Sequence, residues 1–263
     1  MALLSLSGDE QRILFVQLCN VLDPGLAVAL SSVSNELRTA TQALLQQLRA
    51  DHEAAAALCR KVGTSCKELR EAKQMTWVNK SLFPADLAKL STLGSVLPAL
   101  QSLTIWEYSG AAGPDGVQRL VAGLGAGALP ATTRLLLVDV HVGDAGASAL
   151  AAALGRGALP RLKRLELYSA AIGDAGLVAL VPALQRRPAL EALELMGNLF
   201  GDEGLTALLA PPPADALPPP TGGLAKLKLL RLINTQVSDA GCAALAAALD
   251  SGALPALKKL NLL

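Results

Sequence analysis

The chain has 263 residues, enough for one or two domains with a substantial buried core, and 23 Lys and Arg stand against 22 Asp and Glu, a net charge of +1. That balance offers no electrostatic basis for holding nucleic acid or an anionic membrane surface, both of which call for clustered positive charge. Hydrophobic residues make up 52% of the chain but aromatics only 3%, so Leu, Ala and Val must fill the core. No apolar run reaches the roughly 18–20 residues that span a bilayer. Asp9 and Glu10 break the apolar start in a way that argues against a secretory signal. Four cysteines at spacings that match no common zinc motif read as reduced thiols, which places the chain in the cytoplasm or the nucleus.

Residues 1–96 show no repeat and read as helical. Ser7 followed by Glu10 is a capping-box start, and Ile13, Leu14, Val16, Leu18, Val21 and Leu22 carry the apolar pattern onward. A helix restarts after Asp23-Pro24. The stretch from Thr39 to Val62 is strongly helical and amphipathic through Leu44, Leu45, Leu48 and Ala55. A short helix is predicted from Lys67 to Gln74, and 81–96 reads as a linker or cap leading into residues 97–263. The order Leu6, Glu10, Ile13-Leu14, Leu18, Leu22-Asp23-Pro24, Ala27, Leu30, Val33 and Leu37-Arg38 resembles an F-box over about 6–40. Ser7 and Leu37 stand where that family has a proline and a tryptophan. The resemblance implies a Skp-type adaptor as partner, held through Leu6, Ile13, Leu14, Leu22, Pro24, Leu30 and Val33, with the chain acting as substrate receptor of a cullin-based ubiquitin ligase. A helical cap on residues 97–263 is the other reading of the same residues.

From Leu97 the sequence restarts at intervals of 32, 30, 28, 37 and 30 residues, giving five full units and a partial sixth across 97–263. Each unit opens with L-x-x-L-x-L, the alternation of a short strand, as in Leu162, Leu165 and Leu167. It continues through G-D-A-G or a variant into apolar residues at helical spacing, such as Leu150 with Leu154 and Leu180 with Leu184. One strand and one helix cannot bury their own apolar face, so the units must stack. The 37-residue interval holds a proline-rich insertion, Ala210 to Gly223, that can be neither helix nor interior strand. It reads as a solvated loop or a proline-rich ligand segment.

The pattern L-x-x-L-x-L, G-D-x-G, A-L-x-x-A-L resembles leucine-rich repeats of the ribonuclease-inhibitor type. The resemblance implies an α/β solenoid, a horseshoe with parallel strands on the concave face and helices outside, preceded by the all-α segment. That family places Asn or Cys just past the strand to bind backbone groups of the turn. Asn198 alone fits, with Tyr108, Val140, Ala170 and Thr235 at the other positions, so those turns must satisfy their polar groups in other ways.

Catalytic chemistry is not visible. His52 lies on a polar helix face and reads as a solvated surface residue, and His141 lies in a repeat turn. G-x-S-x-G and a Walker motif are absent. Gly123–Ala128 imitates a dinucleotide fingerprint but follows a helix and precedes a strand, the reverse of what phosphate binding needs. Asp115, Asp144, Asp174, Asp202 and Asp239 recur once per unit, which a unique catalytic or metal site would not do; each is expected to cap the helix it begins. The expectation is therefore a non-enzymatic chain without cofactor or metal. A regulator of a small GTPase shares this repeat type, but no distinctive loop residue marks that role.

Strand alternation assigns the concave face. One column is Trp106, Val138, Tyr168, Met196 and Ile233; two residues earlier lie Thr104, Leu136, Glu166, Glu194 and Arg231. An apolar and aromatic column on a face open to solvent points to a protein partner of unknown identity, with Trp106 and Tyr168 as anchors. Self-packing of that column is the alternative. Lys163, Arg164, Lys228, Lys258 and Lys259 form a basic edge. The sequence stops inside a strand unit at Leu263, which is expected to mean an incomplete product, a partner over that edge, or self-association.

Overall fold

The computed structural model describes residues 7–108, 112–211 and 224–262. The chain divides into two compact units, Met1–Ala72 and Lys73–Leu263. The first is helical: α1 (Gly8–Leu18), α2 (Gly25–Ser31), α3 (Asn35–Val62) and α4 (Cys66–Glu71). Ser7 and Glu10 form the capping box their spacing predicts, with Glu10 Oε2 accepting from Ser7 N at 2.8 Å. Asp23-Pro24 ends the connection after α1, and Ser34 opens α3 by accepting from Leu37 N at 3.1 Å. Gly63 ends α3 in the left-handed region, φ 82°, where only glycine is unstrained. Phe15, Ala27, Leu30, Leu37 and Leu48 pack into one core. Here the sequence expectation for His52 fails: the ring is half-buried, and its Nδ1 donates to Val21 O at 2.7 Å, tying α3 to the segment after α1.

The second unit alternates strand and helix: β1 (Gln74–Val78), α5 (Pro84–Thr92), β2 (Ser102–Trp106), α6 (Gly113–Ala122), β3 (Arg134–Val138), α7 (Gly143–Gly155), β4 (Arg164–Tyr168), α8 (Asp174–Gln185), β5 (Ala192–Glu194), α9 (Asp202–Leu209), β6 (Leu229–Arg231), α10 (Asp239–Asp250) and β7 (Lys259–Asn261). The strands form one parallel sheet in sequence order. Register aligns Leu103, Leu135, Leu165, Leu193 and Leu230 in one row and Ile105, Leu137 and Leu167 in another. Both rows are buried against the helices. Each such leucine contributes about 1.5–3 kcal/mol of burial. Neighbouring strands lie about 4.8 Å apart whereas packed helices need about 8–10 Å. A stack with both must curve with the strands inside.

The sequence expectation started the repeats at Leu97. The structure holds one more strand–helix pair before it: β1 pairs with β2 from Gln74↔Ser102 to Val78↔Trp106, and Met75 and Trp77 extend the two core rows. Residues 73–96 thus lie in the repeat unit and not in the helical one.

The turns satisfy themselves in three ways. Asn198 is buried; its Oδ1 accepts from Ala170 N (3.2 Å) and Ile172 N (3.1 Å), and its Nδ2 donates to Leu167 O and Leu195 O. Glu107, one position earlier in its own repeat, reaches the matching amides of the first turn: its Oε1 accepts from Lys80 N (2.8 Å) and Leu82 N (3.3 Å). Its Oε2 has no partner among the described residues. Elsewhere backbone serves, as in Val142 N and Gly143 N, which donate to Ala170 O.

The recurring aspartates do not cap their own helices. Asp144 Oδ1 accepts from Gly173 N at 2.7 Å, Asp174 Oδ1 from Gly201 N (2.8 Å) and Gly204 N (2.7 Å), and Asp202 Oδ1 from Ser238 N (2.8 Å). Each of these carboxylates crosses to the helix start of the next repeat, where a glycine leaves room for it. Asp115 and Asp239 stand exposed in the first turns of α6 and α10. Among the described residues no helix is long and apolar enough to cross a membrane, and no three His, Cys, Asp or Glu side chains gather as a metal site. Of the proline-rich insertion, residues 212–223 lie outside the described residues.

Candidate functional site

On each strand the residues between the core leucines face away from the helices, so the concave surface is a grid of three columns. The first holds Ser102, Arg134, Arg164, Ala192, Leu229 and Lys259; the second Thr104, Leu136, Glu166, Glu194, Arg231 and Asn261. The third begins Trp106, Val138 and Tyr168 and continues past the shorter strands at Met196 and Ile233.

The structure brings the predicted concave residues together but changes their surroundings. Trp106 is half-buried, donates from Nε1 to Asp139 Oδ2 at 3.0 Å, and packs its ring 5.1 Å from the ring of Tyr108. Tyr108, which the sequence marked only as a departure from the turn pattern, is 61% exposed beside it. Val138 is buried, while Tyr168, Met196 and Ile233 are half-buried. Tyr168 donates its hydroxyl to Glu194 Oε2 at 2.7 Å; burial, with Glu194 next, pushes its phenol well above the usual range.

Glu166 and Glu194 are not open to solvent as a concave position would suggest: they are 1% and 2% exposed. Buried carboxylates need partners, because removing a charge from water costs several kcal/mol. Arg134 covers Glu166 with two bonds, Nε to Oε1 at 3.1 Å and one terminal nitrogen to Oε2 at 2.6 Å. That pairing raises the guanidinium's pKa further. Arg231 covers Glu194 at 2.7 Å. Arg164 reaches over both, 3.5 Å from Glu166 and 3.8 Å from Glu194. The sequence singled out Arg164 only as part of a basic edge and passed over Arg134. The signal available was the i, i+2 spacing that places Arg134 and Arg164 beside the glutamate column.

At the head of these strands Arg134, Lys163, Arg164, Glu191 and Lys228 line a depression of about 350 Å³. Lys228 pairs with Glu191 at 2.8 Å, which holds the Glu191 carboxyl below its usual range.

In the helical unit the residues implied by the F-box resemblance separate into two groups. Ile13, Leu14 and Val33 are exposed, together with Val16 and Leu26. Leu22 and Leu30 are buried, and Pro24 is half-buried at the start of α2. Leu6 lies outside the described residues.

Parallel strands in chain order, leucine rows under one face and helices returning outside are the architecture of a leucine-rich repeat solenoid. A family model described as leucine-rich repeat matches residues 188–209, which is β5 with its turn and α9. No curated protein matches the chain. Among solved structures, a TLR13–ssRNA13 complex is similar at 18% identity and TM-score 0.48, over 76% of this chain and 23% of that one. Actin-binding site 2 of leiomodin-1 is similar at 16% identity and TM-score 0.44, over 64% and 90%. An internalin from Listeria monocytogenes is similar at 14% identity and TM-score 0.26, over 67% and 50%. The chain spans less than a quarter of the first of these.

Proposed function

We propose that this chain is a non-enzymatic interaction module, its repeats of the ribonuclease-inhibitor type, that holds a protein partner on its concave face. The observation that carries this reading is the third column. Trp106 and Tyr168 are half-buried with their polar ends already bonded to Asp139 and Glu194, so the rings are fixed in place in the column that continues at Met196 and Ile233. Rigid aromatics whose orientation is settled before binding lose little entropy on contact and make good anchors. The test is to compare partner binding by the full chain and by the Trp106→Ala, Tyr168→Ala double variant. Loss of at least about 2 kcal/mol of affinity is expected for a pair of anchors. Unchanged affinity removes the concave face from the interface.

A second reading rests on the exposed Ile13, Leu14 and Val33 of the helical unit. Under it residues 6–40 dock a Skp-type adaptor and the repeats select a substrate for a ubiquitin ligase. Binding of a purified Skp-type adaptor, abolished by Ile13→Asp, supports this reading; no binding to the unaltered chain ends it.

A further inference from the structure

We infer that the partner segment received by the concave face is acidic, with its carboxylates at Arg164 and Arg134 and an apolar side chain over Tyr168 and Met196. This rests on the reading of the concave face as the binding surface and adds the chemistry of what binds there.

The first support is a charge count. Around the depression and the glutamate column, Arg134, Lys163, Arg164, Lys228 and Arg231 stand against only Glu166, Glu191 and Glu194. The chain as a whole is nearly balanced at +1, so this patch is a local departure from the surface average. The second support is an excess of donors. Each guanidinium offers five N–H groups, and the two buried glutamates offer four oxygens between them. Arg231 Nε is buried with no acceptor among the described residues. Among the described residues Arg164 has only the long contacts at 3.5 and 3.8 Å, and its side chain is 48% exposed. What the face lacks is acceptors, and a carboxylate supplies two in the geometry a guanidinium fork prefers.

The third support is preorganisation. Glu166 holds Arg134 by two bonds and Glu194 holds Arg231, so the cations are oriented at no further entropic cost when a ligand arrives. The third column, two residues along the same strands, supplies the apolar contact. A nucleic acid fits less well. Three carboxylates interleave the cations, and the aromatic side chains of the third column, Trp106 and Tyr168, are bound through their polar ends to two acids, Asp139 and Glu194.

The experiment selects peptides from a random displayed library against the full chain, then measures labelled versions of the enriched sequences by fluorescence anisotropy. Arg164→Gln is the diagnostic variant, because Glu166 keeps both bonds to Arg134 and an unchanged thermal melt shows the fold is retained. Expected are peptides with several Asp or Glu beside apolar residues. Their affinity should fall at least about tenfold in Arg164→Gln and weaken between about 50 and 300 mM salt. Peptides without an acidic excess, or affinity unmoved by Arg164→Gln, overturn the inference. If such peptides are still lost in the Trp106→Ala, Tyr168→Ala variant, the concave-face reading stands while the acidic partner falls. Enriched peptides insensitive to both variants, or no enrichment, count against both. Oligouridylate that binds as tightly as the peptides and is released by Arg164→Gln overturns the inference in favour of nucleic acid.

Discussion

An alanine at Gly176 would place its Cβ 2.4 Å from Asp144 Oδ1 and 2.8 Å from the Asp144 Cα. The carboxylate can swing aside but the backbone cannot, so Gly176→Ala is expected to lose about 1–3 kcal/mol by overpacking. That shows as a fall of several degrees in melting temperature. Gly155, at the end of α7, has nothing among the described residues within 4 Å of where a Cβ would lie, and Gly155→Ala is expected to leave the melt unchanged or raise it slightly. Equal effects of the two substitutions would show that the close approach does not matter. The motif G-D-x-G was plain in the sequence, as was the fact that its aspartate meets a helix start. Which helix it serves was not legible, because the acceptor and the amide lie about thirty residues apart and meet only when repeats stack. For the same reason Glu107 was passed over: nothing local says that its carboxylate lies where Asn198 lies three repeats on.

At the scale of elements, α9 begins at Asp202 behind Gly201, which has no side chain to cap it; Asp174 of the preceding repeat provides the cap. Asp174→Ala is therefore expected to cost about 1–2 kcal/mol and to speed amide exchange at Gly201 and Gly204 more than within α8, where Asp174 itself resides. Faster exchange confined to α8 would return the aspartate to its own helix. Asp202 adds a pH signature. Its carboxyl is held below the ordinary value by the Ser238 hydroxyl and amide, so its contribution is complete above the unfolded value of about 3.9 and disappears as pH falls through the lower folded value. Asp202→Asn should thus be less stable than the parent near neutrality, with the gap closing below about pH 4 in thermal melts; a gap constant with pH contradicts this. Strands β2 to β7 were legible because leucine recurs at fixed steps. Strand β1 was not, since Met75 and Trp77 replace the leucines and Gln74-Met75-Thr76-Trp77-Val78 carries no L-x-L. The matching burial appears only when β1 is set beside β2.

For the whole molecule, the compact repeat unit begins at Lys73. A chain of residues 73–263 is expected to remain soluble and to melt cooperatively. One of residues 97–263 strips β1 and α5 from the sheet, uncovering Leu103, Ile105 and the apolar face of α6, and is expected to aggregate. Equal behaviour of the two truncations, read by size exclusion and thermal melting, would place the boundary where leucine periodicity alone puts it. The fold class was readable because solenoid stability is a sum over similar neighbours, so even imperfect copies announce it. The candidate site was readable only as a column of positions. That two of those positions are buried glutamates clamped by arginines depends on side chains from adjacent strands, and periodicity carries no record of that.

The aspartate that reaches forward and the glycine that makes room for the one behind it travel together in the same short motif, one half of a joint at each end. A tandem duplication of about thirty codons in any phase therefore delivers both halves, and the new seam closes with the same bonds as the old ones. Unequal recombination can lengthen or shorten such an array without inventing a new contact, while the inward-facing columns are left to diverge from copy to copy.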